Sequence, residues 1–406
     1  MTREEIQKSS LQLIENNRNI ALKWSTSLGK SRAAIEMMNW LIEKKSTLNV
    51  LILVAETAHK NNWKNEFHKW NLNPKIEYTI ECYNSLKKYD NTMWDVLILD
   101  EVHHIYTEKR IDVLRTINSK YVIALSATFK DDILCTLNDL FGTFTVSNIS
   151  FKKAIDWNIL PEPKVYVIPL TLNNTKQDCS IIEEWGQDYL RKEIKCSFEE
   201  RWKYLKNKES LPNVKLIISC TQQQKYNYLC EQFEYWKNRY FQSNVVYMKN
   251  KWLRAGSERK IFLGELKTPI VYPLIQKLKN RRFICFCTSI LQAEALGGNN
   301  AIHSKMKNPL KTLNEFNEGL KNSIFCVGML QEGQNLNNIQ IGIIVQLDGQ
   351  ERVFIQKFGR SMRADSPIQC IFYYKNTRDE DYLKKALESI DDKYIEEIND
   401  INKLKI

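Results

Sequence analysis

The run Val96-Leu97-Ile98-Leu99-Asp100-Glu101-Val102-His103-His104 constrains this chain more than any other stretch. Four aliphatic residues in succession leave no face for water. They read as a strand buried on both sides, the kind found in a parallel sheet covered by helices. Two carboxylates and two imidazoles follow at its C-terminal edge, where open α/β sheets bind their ligands. Asp100 there suits a Mg2+ that accompanies a nucleoside triphosphate. Glu101 suits a group that orients or deprotonates an attacking water.

Upstream stands Ser25-Thr26-Ser27-Leu28-Gly29-Lys30-Ser31. Its Gly-Lys-Ser tail is what a phosphate-binding loop needs. Gly29 lets backbone N–H groups approach an anion, Lys30 reaches the β and γ phosphates, and the Ser31 hydroxyl completes the Mg2+ shell. Ala34, Met37, Met38, Leu41 and Ile42 follow at helical spacing, so the loop opens a helix whose positive end faces the phosphates. The general loop pattern would place its first Gly at position 24, where Trp24 stands. The stretch between this loop and the Asp-Glu strand has room for the crossover units that parallel strands require.

With these two pieces placed, the chain resembles the superfamily 2 helicases and translocases, in particular the compact phage and restriction-type members with a DExH box. The resemblance covers roughly residues 1–150 and 265–375. Against the family's Pro-Thr-Gly-x-Gly-Lys-Thr loop, Thr26, Gly29 and Lys30 agree, Ser31 is a conservative change, and Ser25 and Ser27 depart. Asp100-Glu101-Val102-His103 is similar to its Asp-Glu-x-His box, and Ser126-Ala127-Thr128 to its Ser-Ala-Thr motif. Gln356-Lys357-Phe358-Gly359-Arg360-Ser361-Met362-Arg363 agrees with Gln-x-x-Gly-Arg-x-x-Arg at every defined position. Weaker likenesses join Arg3 and Gln7 to an adenine-reading Gln motif. Further ones place 55–57 and 63–67 near motif Ia, Tyr83-Asn84-Ser85-Leu86 near motif Ib, and 328–336 near motif V, with Asn335 where the family has Asp.

The resemblance implies an α/β chain of two RecA-like P-loop domains with parallel sheets, using ATP and Mg2+. It implies that Glu101, Gln356, Arg360 and Arg363 are catalytic, Arg363 as arginine finger and Arg360 as a second γ-phosphate contact. ATP would be held by Arg3, Gln7, Thr26, Gly29, Lys30, Ser31, Gly333 and Asn335, and Mg2+ by Ser31 and Asp100. His103, Ser126 and Thr128 would couple hydrolysis to domain movement. The implied activity is ATP-driven movement on nucleic acid, DNA in preference to RNA, in replication, recombination or repair. An RNA helicase is the first alternative. A nucleic-acid-binding scaffold without turnover is the second, and the joint presence of Lys30, Asp100, Glu101, Arg360 and Arg363 stands against it.

The apolar runs divide the chain into a first RecA-like domain at 1–150, a crossover at 151–173 rich in proline, an insert at 174–264, and a second RecA-like domain at 265–406 ending in a C-terminal helix. The insert reads as mainly helical. Its many aromatics read chiefly as its own core, leaving some of its excess Lys and Arg to face a strand. Lys and Arg exceed Asp and Glu over the whole chain for a net charge of +11, which suits a polyanionic partner. The ten cysteines show neither paired Cys-x-x-Cys nor zinc spacing and point to a reducing cytoplasm, that of a bacterium or a phage-infected host. The charged start lacks the apolar core of a signal peptide, and no apolar run reaches membrane-spanning length, so no membrane role is expected. The oligomeric state stays open, and a monomer is compatible with the sequence.

Overall fold

A computed structural model describes residues 2–128, 131–211, 213–328, 336, 338–349, 351–362 and 364–406, apart from the side chains of 189, 351 and 352. The first lobe runs α1 (Arg3–Asn16), β1 (Asn19–Trp24), α2 (Lys30–Ile42), β2 (Leu48–Val54), α3 (Thr57–Lys69), β3 (Ile76–Cys82), β4 (Met93–Asp100), α4 (Glu108–Leu114), β5 (Asn118–Ser126), α5 (Asp131–Phe141) and β6 (Thr145–Ile149). Its six strands lie in the order β3-β2-β4-β5-β1-β6, all parallel. Val96 to Leu99 are fully buried, as their sequence requires. Helix α2 buries Ala33, Ala34, Met37, Met38 and Leu41, the stripe that a 3.6-residue period puts on one side. The topology fixes the site: β4, β5 and β1 are neighbours, so the segments that leave their C-terminal ends emerge side by side.

Helix α6 (Phe151–Asp156) then leads to β7 (Lys164–Leu170). The crossover expected at 151–173 therefore already contributes a strand to the second lobe, where β7 pairs with the strand at 368–374. Next come β8 (Cys179–Trp185), β9 (Lys192–Ser197), α7 (Arg201–Lys206), β10 (Val214–Cys220), α8 (Gln222–Ser243) and α9 (Val246–Leu266). The insert is helical in its larger part, yet it also holds a three-stranded sheet, β8-β10-β9, over a core of Ile181, Trp185, Val214, Leu216 and Ile218. That sheet escaped the sequence reading because charged residues interrupt its strands. Helices α8 and α9 form an antiparallel hairpin. Most of its rings are not a buried core, contrary to expectation: among the rings of α8, only Tyr226 is buried.

The second lobe continues with α10 (Thr268–Lys277), β11 (Phe283–Phe286), α11 (Ile290–Gly297), β12 (Ala301–Ile302), α12 (Pro309–Asn317), β13 (Ser323–Cys326), β14 (Ile341–Ile344), α13 (Glu351–Ser361), β15 (Ile368–Tyr374), α14 (Arg378–Leu387) and β16 (Ile395–Glu397). Its sheet, β12-β13-β11-β14-β15-β7-β16, is also all parallel. The expected C-terminal helix is α14, but it ends at Leu387. Beyond it, the chain turns through an Asp391 cap and adds β16 to the sheet edge, so Tyr394 and Ile398 do not continue that helix. No helix among the described residues is long and apolar enough to cross a membrane.

One buried hydrophobic cluster runs through both lobes, joining Trp24, Leu28 and Phe151 to Phe354, Phe358 and Met362. The Phe151 and Phe358 rings meet edge to face at 5.4 Å. A second tie joins the insert to the lobe. Asp348 accepts from Lys357 of α13 at 2.9 Å and also from Lys260 of α9. Burial alone would raise the Asp348 pKa, but the two ammonium groups overcome it and hold the carboxyl at about 2. A folded-state value below the usual carboxylate range stabilises the fold above that range, and the contribution is lost as pH falls through about 4 toward 2. Asp348→Asn is expected to lower unfolding stability by about 2 kcal/mol at neutral pH. In denaturant titrations the gap between variant and parent should close as the pH approaches 2, and a gap independent of pH would refute the bridge.

Candidate active site at the lobe junction

The phosphate-loop segment leaves β1 at Trp24, whose buried ring donates Nε1–H to Ser147 Oγ at 2.9 Å. Position 24 is thus a packed strand residue, which explains a tryptophan where the general pattern has glycine. Two residues of the loop adopt the left-handed conformation, Ser27 at φ 70° and Gly29 at φ 82°. At Gly29 the left-handed backbone favours glycine, and a Cβ there would also have to displace the Gln7 amide, whose Nε2 would lie 2.7 Å away. Ser27 stands in a conformation that glycine adopts freely. Its hydroxyl donates across the junction to the Gly359 carbonyl at 3.1 Å, an interaction no glycine could make.

Helix α2 begins at Lys30, directly after the loop. Its first N–H groups and its dipole therefore favour an anion beside residues 25–29. Lys30 Nζ donates to Trp24 O at 3.0 Å. Burial lowers the Lys30 pKa, while Glu101 and Asp100 act in the opposite sense, which places this ammonium near both carboxylates. Ser31 occupies the next helical position and is half-buried. Gln7 is buried on α1 with its amide against Gly29, whereas Arg3 is exposed one turn earlier.

Asp100 ends β4. Its Oδ2 accepts Nε1–H from fully buried Trp63 of α3 at 2.8 Å, and its carbonyl accepts the Tyr83 hydroxyl at 3.0 Å. Sequence reading gave Trp63 no such part. Its partner lies far along the chain, and no local pattern announces the pair. Glu101 follows at φ 49°, an uncommon conformation for a residue with a side chain and one that collects at functional sites. His103 Nδ1 lies 3.5 Å from Glu101 Oε2 and 3.3 Å from Ser126 Oγ. The buried Ser126 hydroxyl is 3.4 Å from Glu101 Oε2 and 2.8 Å from Thr128 O, and Thr128 N–H donates back to it at 3.3 Å. The ends of β4 and β5 are thereby wired together: Glu101, His103, Ser126 and Thr128 form one polar chain.

Helix α13 supplies the opposing wall. Gln356, Lys357 and Arg360 are buried on it, and Gly359 faces the loop. A Cβ at Gly359 would stand 1.6 Å from Thr26 Oγ1. Glycine is needed here for close approach between lobes. Arg360 therefore follows directly on the residue that touches the phosphate loop. Arg363, Gly333 and Asn335 lie outside the described residues.

The donor set fits a nucleoside triphosphate. Gln7 Oε1, Ser25 Oγ and Thr26 Oγ1 are buried around the loop without hydrogen-bond partners among the described residues. Buried polar groups are nearly always satisfied, so three together mark a place for a polar ligand. Ser31 and Asp100 suit Mg2+, which takes few protein oxygens and leaves its other positions to phosphate and water. A denser cage of three or more His, Cys, Asp or Glu is absent among the described residues.

The closeness of the walls is itself testable. Gly359→Ala should force α13 away from Thr26 and destabilise the chain by about 1–3 kcal/mol. Denaturant unfolding measures this, and an unchanged midpoint would contradict the contact.

Residues 2–131 match the family model described as "Type III restriction enzyme, res subunit", and residues 266–365 match that of "Helicase conserved C-terminal domain". The chain is 26% identical over 159 residues to 161L, a candidate helicase of Invertebrate iridescent virus 6. That stretch is 34% of this chain and 35% of the viral protein, so the likeness spans about a third of the relative's length. Among solved structures, S. cerevisiae Dbp5 bound to RNA and ADP BeF3 has a TM-score of 0.57 at 11% identity, with 97% of this chain and 89% of that one covered. The ATP-dependent Type ISP restriction-modification enzyme LlaBIII bound to DNA has a TM-score of 0.56 at 11% identity, with 98% and 31% covered. Such low identities speak to the fold, which is that of paired RecA-like domains. With a matching family domain in each lobe and the candidate site at their junction, the chain belongs to the superfamily 2 helicases.

Proposed function

We propose that this chain is an ATP-hydrolysing motor of the DExH type that moves on DNA. The observation that carries the reading is the seating of α13 on the phosphate loop, with Gly359 against Thr26 and Arg360 next in line. Bound ATP with Mg2+ would supply the phosphoanhydride bond that is broken. Lys30 and the α2 N-terminus hold the phosphates, Ser31 and Asp100 hold the metal, and Gln7 reads the base. Glu101 orients the attacking water and takes its proton. Arg360, with Arg363 beyond the described residues, places positive charge where negative charge develops. Gln356 is buried one helical turn before Arg360 on the same helix.

Coupling follows from the same wiring. Glu101 shares Ser126 with His103 and Thr128, so a change at the reacting centre is felt at the end of β5. The arginine wall belongs to the other lobe, so engagement and release of phosphate charge bias how the lobes sit. Two lobes that alternately grip a backbone can step along it. Gly333 and Asn335 complete the nucleotide contacts in this reading. Both walls come from one chain, so a monomer holds the whole site.

The net charge of +11 suits nucleic acid of either kind, and the match of the first lobe to a restriction-enzyme family model favours DNA. All ten cysteines are free thiols, which supports a reducing cytoplasm as the place of work.

The test is steady-state ATP hydrolysis alone, with single-stranded DNA, and with RNA of matched length, using Lys30→Ala and Glu101→Gln as controls. We expect DNA to stimulate turnover and each control to lose it by about 100-fold or more. Turnover unaffected by Lys30→Ala would refute the site. Stimulation by RNA alone would reassign the substrate.

A further inference from the structure

The far end of the α8–α9 hairpin is unlike the rest of the surface. Residues 235–254 hold five Lys or Arg, no Asp or Glu, and six aromatic rings. None of these twenty is buried. Tyr235, Phe241, Val245, Val246, Tyr247 and Leu253 are large apolar groups open to solvent. Trp252 is the internal brace, packing on Phe233, Tyr240 and Phe241, so the tip holds its shape without help from either lobe. Contiguous apolar surface on a monomer marks an interaction site.

The charges say what it would meet. Arg239 lies over Tyr235, Lys249 over Tyr240, and Lys251 over both Trp236 and Tyr247, and among the described residues no carboxylate pairs with any of the three. Rings alternating with unneutralised cations match a strand that presents flat bases and regularly spaced phosphates. A duplex hides its base faces in the stack and could not use the rings. A second copy of the same basic tip would be repelled.

The root of the hairpin is anchored where the tip is not. Tyr226 accepts the Arg378 N–H at 2.8 Å, and Gly264 packs so tightly that a Cβ would meet Thr288 at 2.5 Å. Lys260 of α9 shares Asp348 with Lys357 of α13, the helix that carries Gln356 and Arg360. A load on the tip therefore reaches the wall of the candidate nucleotide site through one carboxylate.

We propose that the hairpin tip is a second, lobe-independent contact for single-stranded DNA, held by ring stacking and by Arg239, Lys249 and Lys251. The choice of DNA rests on the motor reading above. The test uses the full chain and fluorescence anisotropy of a labelled oligodeoxythymidylate over a range of salt. Two variants are compared with the parent: Arg239→Glu/Lys249→Glu/Lys251→Glu, and Phe241→Ala/Tyr247→Ala. All five positions face solvent or stand at the tip, away from the nucleotide site.

The charge variant should bind about tenfold more weakly or worse and lose about 2 from the slope of log affinity against log salt, since three phosphate contacts go. The ring variant should lose about tenfold in affinity with the slope unchanged. ATP hydrolysis without DNA should stay as in the parent for both. Parental affinity and slope in both variants would overturn the proposal, as would loss of a matched oligoribonucleotide with DNA binding intact. The two readings fail separately. A parent whose ATP turnover ignores DNA defeats the motor, whereas a DNA-stimulated parent with indifferent tip variants defeats the hairpin contact alone.

Discussion

A helix from one lobe rests on the phosphate loop of the other because position 359 has no side chain. A Cβ there would come within 1.6 Å of Thr26 Oγ1, so the helix or the threonine would have to move. The contact is held from the loop side by Ser27, whose hydroxyl reaches the Gly359 carbonyl from a left-handed backbone conformation. It is held from behind by Phe151 against Phe358 within a hydrophobic cluster common to both lobes. Everything proposed for the site depends on this approach. The groups proposed to bind phosphate and metal come from one sheet edge, and the buried arginine comes from the other lobe.

The first sheet supplies its part through strand order. With β4, β5 and β1 adjacent, the Asp-Glu pair, Ser126 and the phosphate loop leave the same edge together. Parallel strands buried on both faces make that arrangement rigid, and the polar chain from Glu101 through Ser126 to Thr128 uses the rigidity. The insert is tied in by charge instead. Asp348 stands between ammonium groups of α9 and α13, so the projecting hairpin and the arginine helix share a counter-ion.

How much of this the sequence revealed depends on the range of the physics involved. Val96 to Leu99 declared a doubly covered strand because four aliphatics in a row have no solvated alternative. Gly29, Lys30 and Ser31 declared a loop opening a helix because their chemistry is local. Strands β1, β3 and β6 were harder to see, since Lys23, Glu77, Glu81 and Asn148 interrupt their apolar runs. Trp63 was opaque because its partner is the carboxylate of Asp100 on another element. Ser27 read as a departure from a family pattern, and only the fold supplies the carbonyl that its hydroxyl meets. The rings of the insert misled in the opposite direction: large aromatics usually pack inside, and here the hairpin carries six of them to a tip with no lobe to cover it.

The central claim is that one catalytic site is assembled from both lobes, and Arg360→Ala addresses it most directly. Binding of a fluorescent ATP analogue and steady-state ATP turnover should be measured on the same variant. The account predicts that nucleotide binding is largely kept, because the phosphate loop and α2 are untouched, while turnover falls by about 1000-fold, as expected when a charge that stabilises the transition state is removed. Turnover equal to that of the parent would contradict the claim and leave the close packing of α13 on the loop without a catalytic purpose.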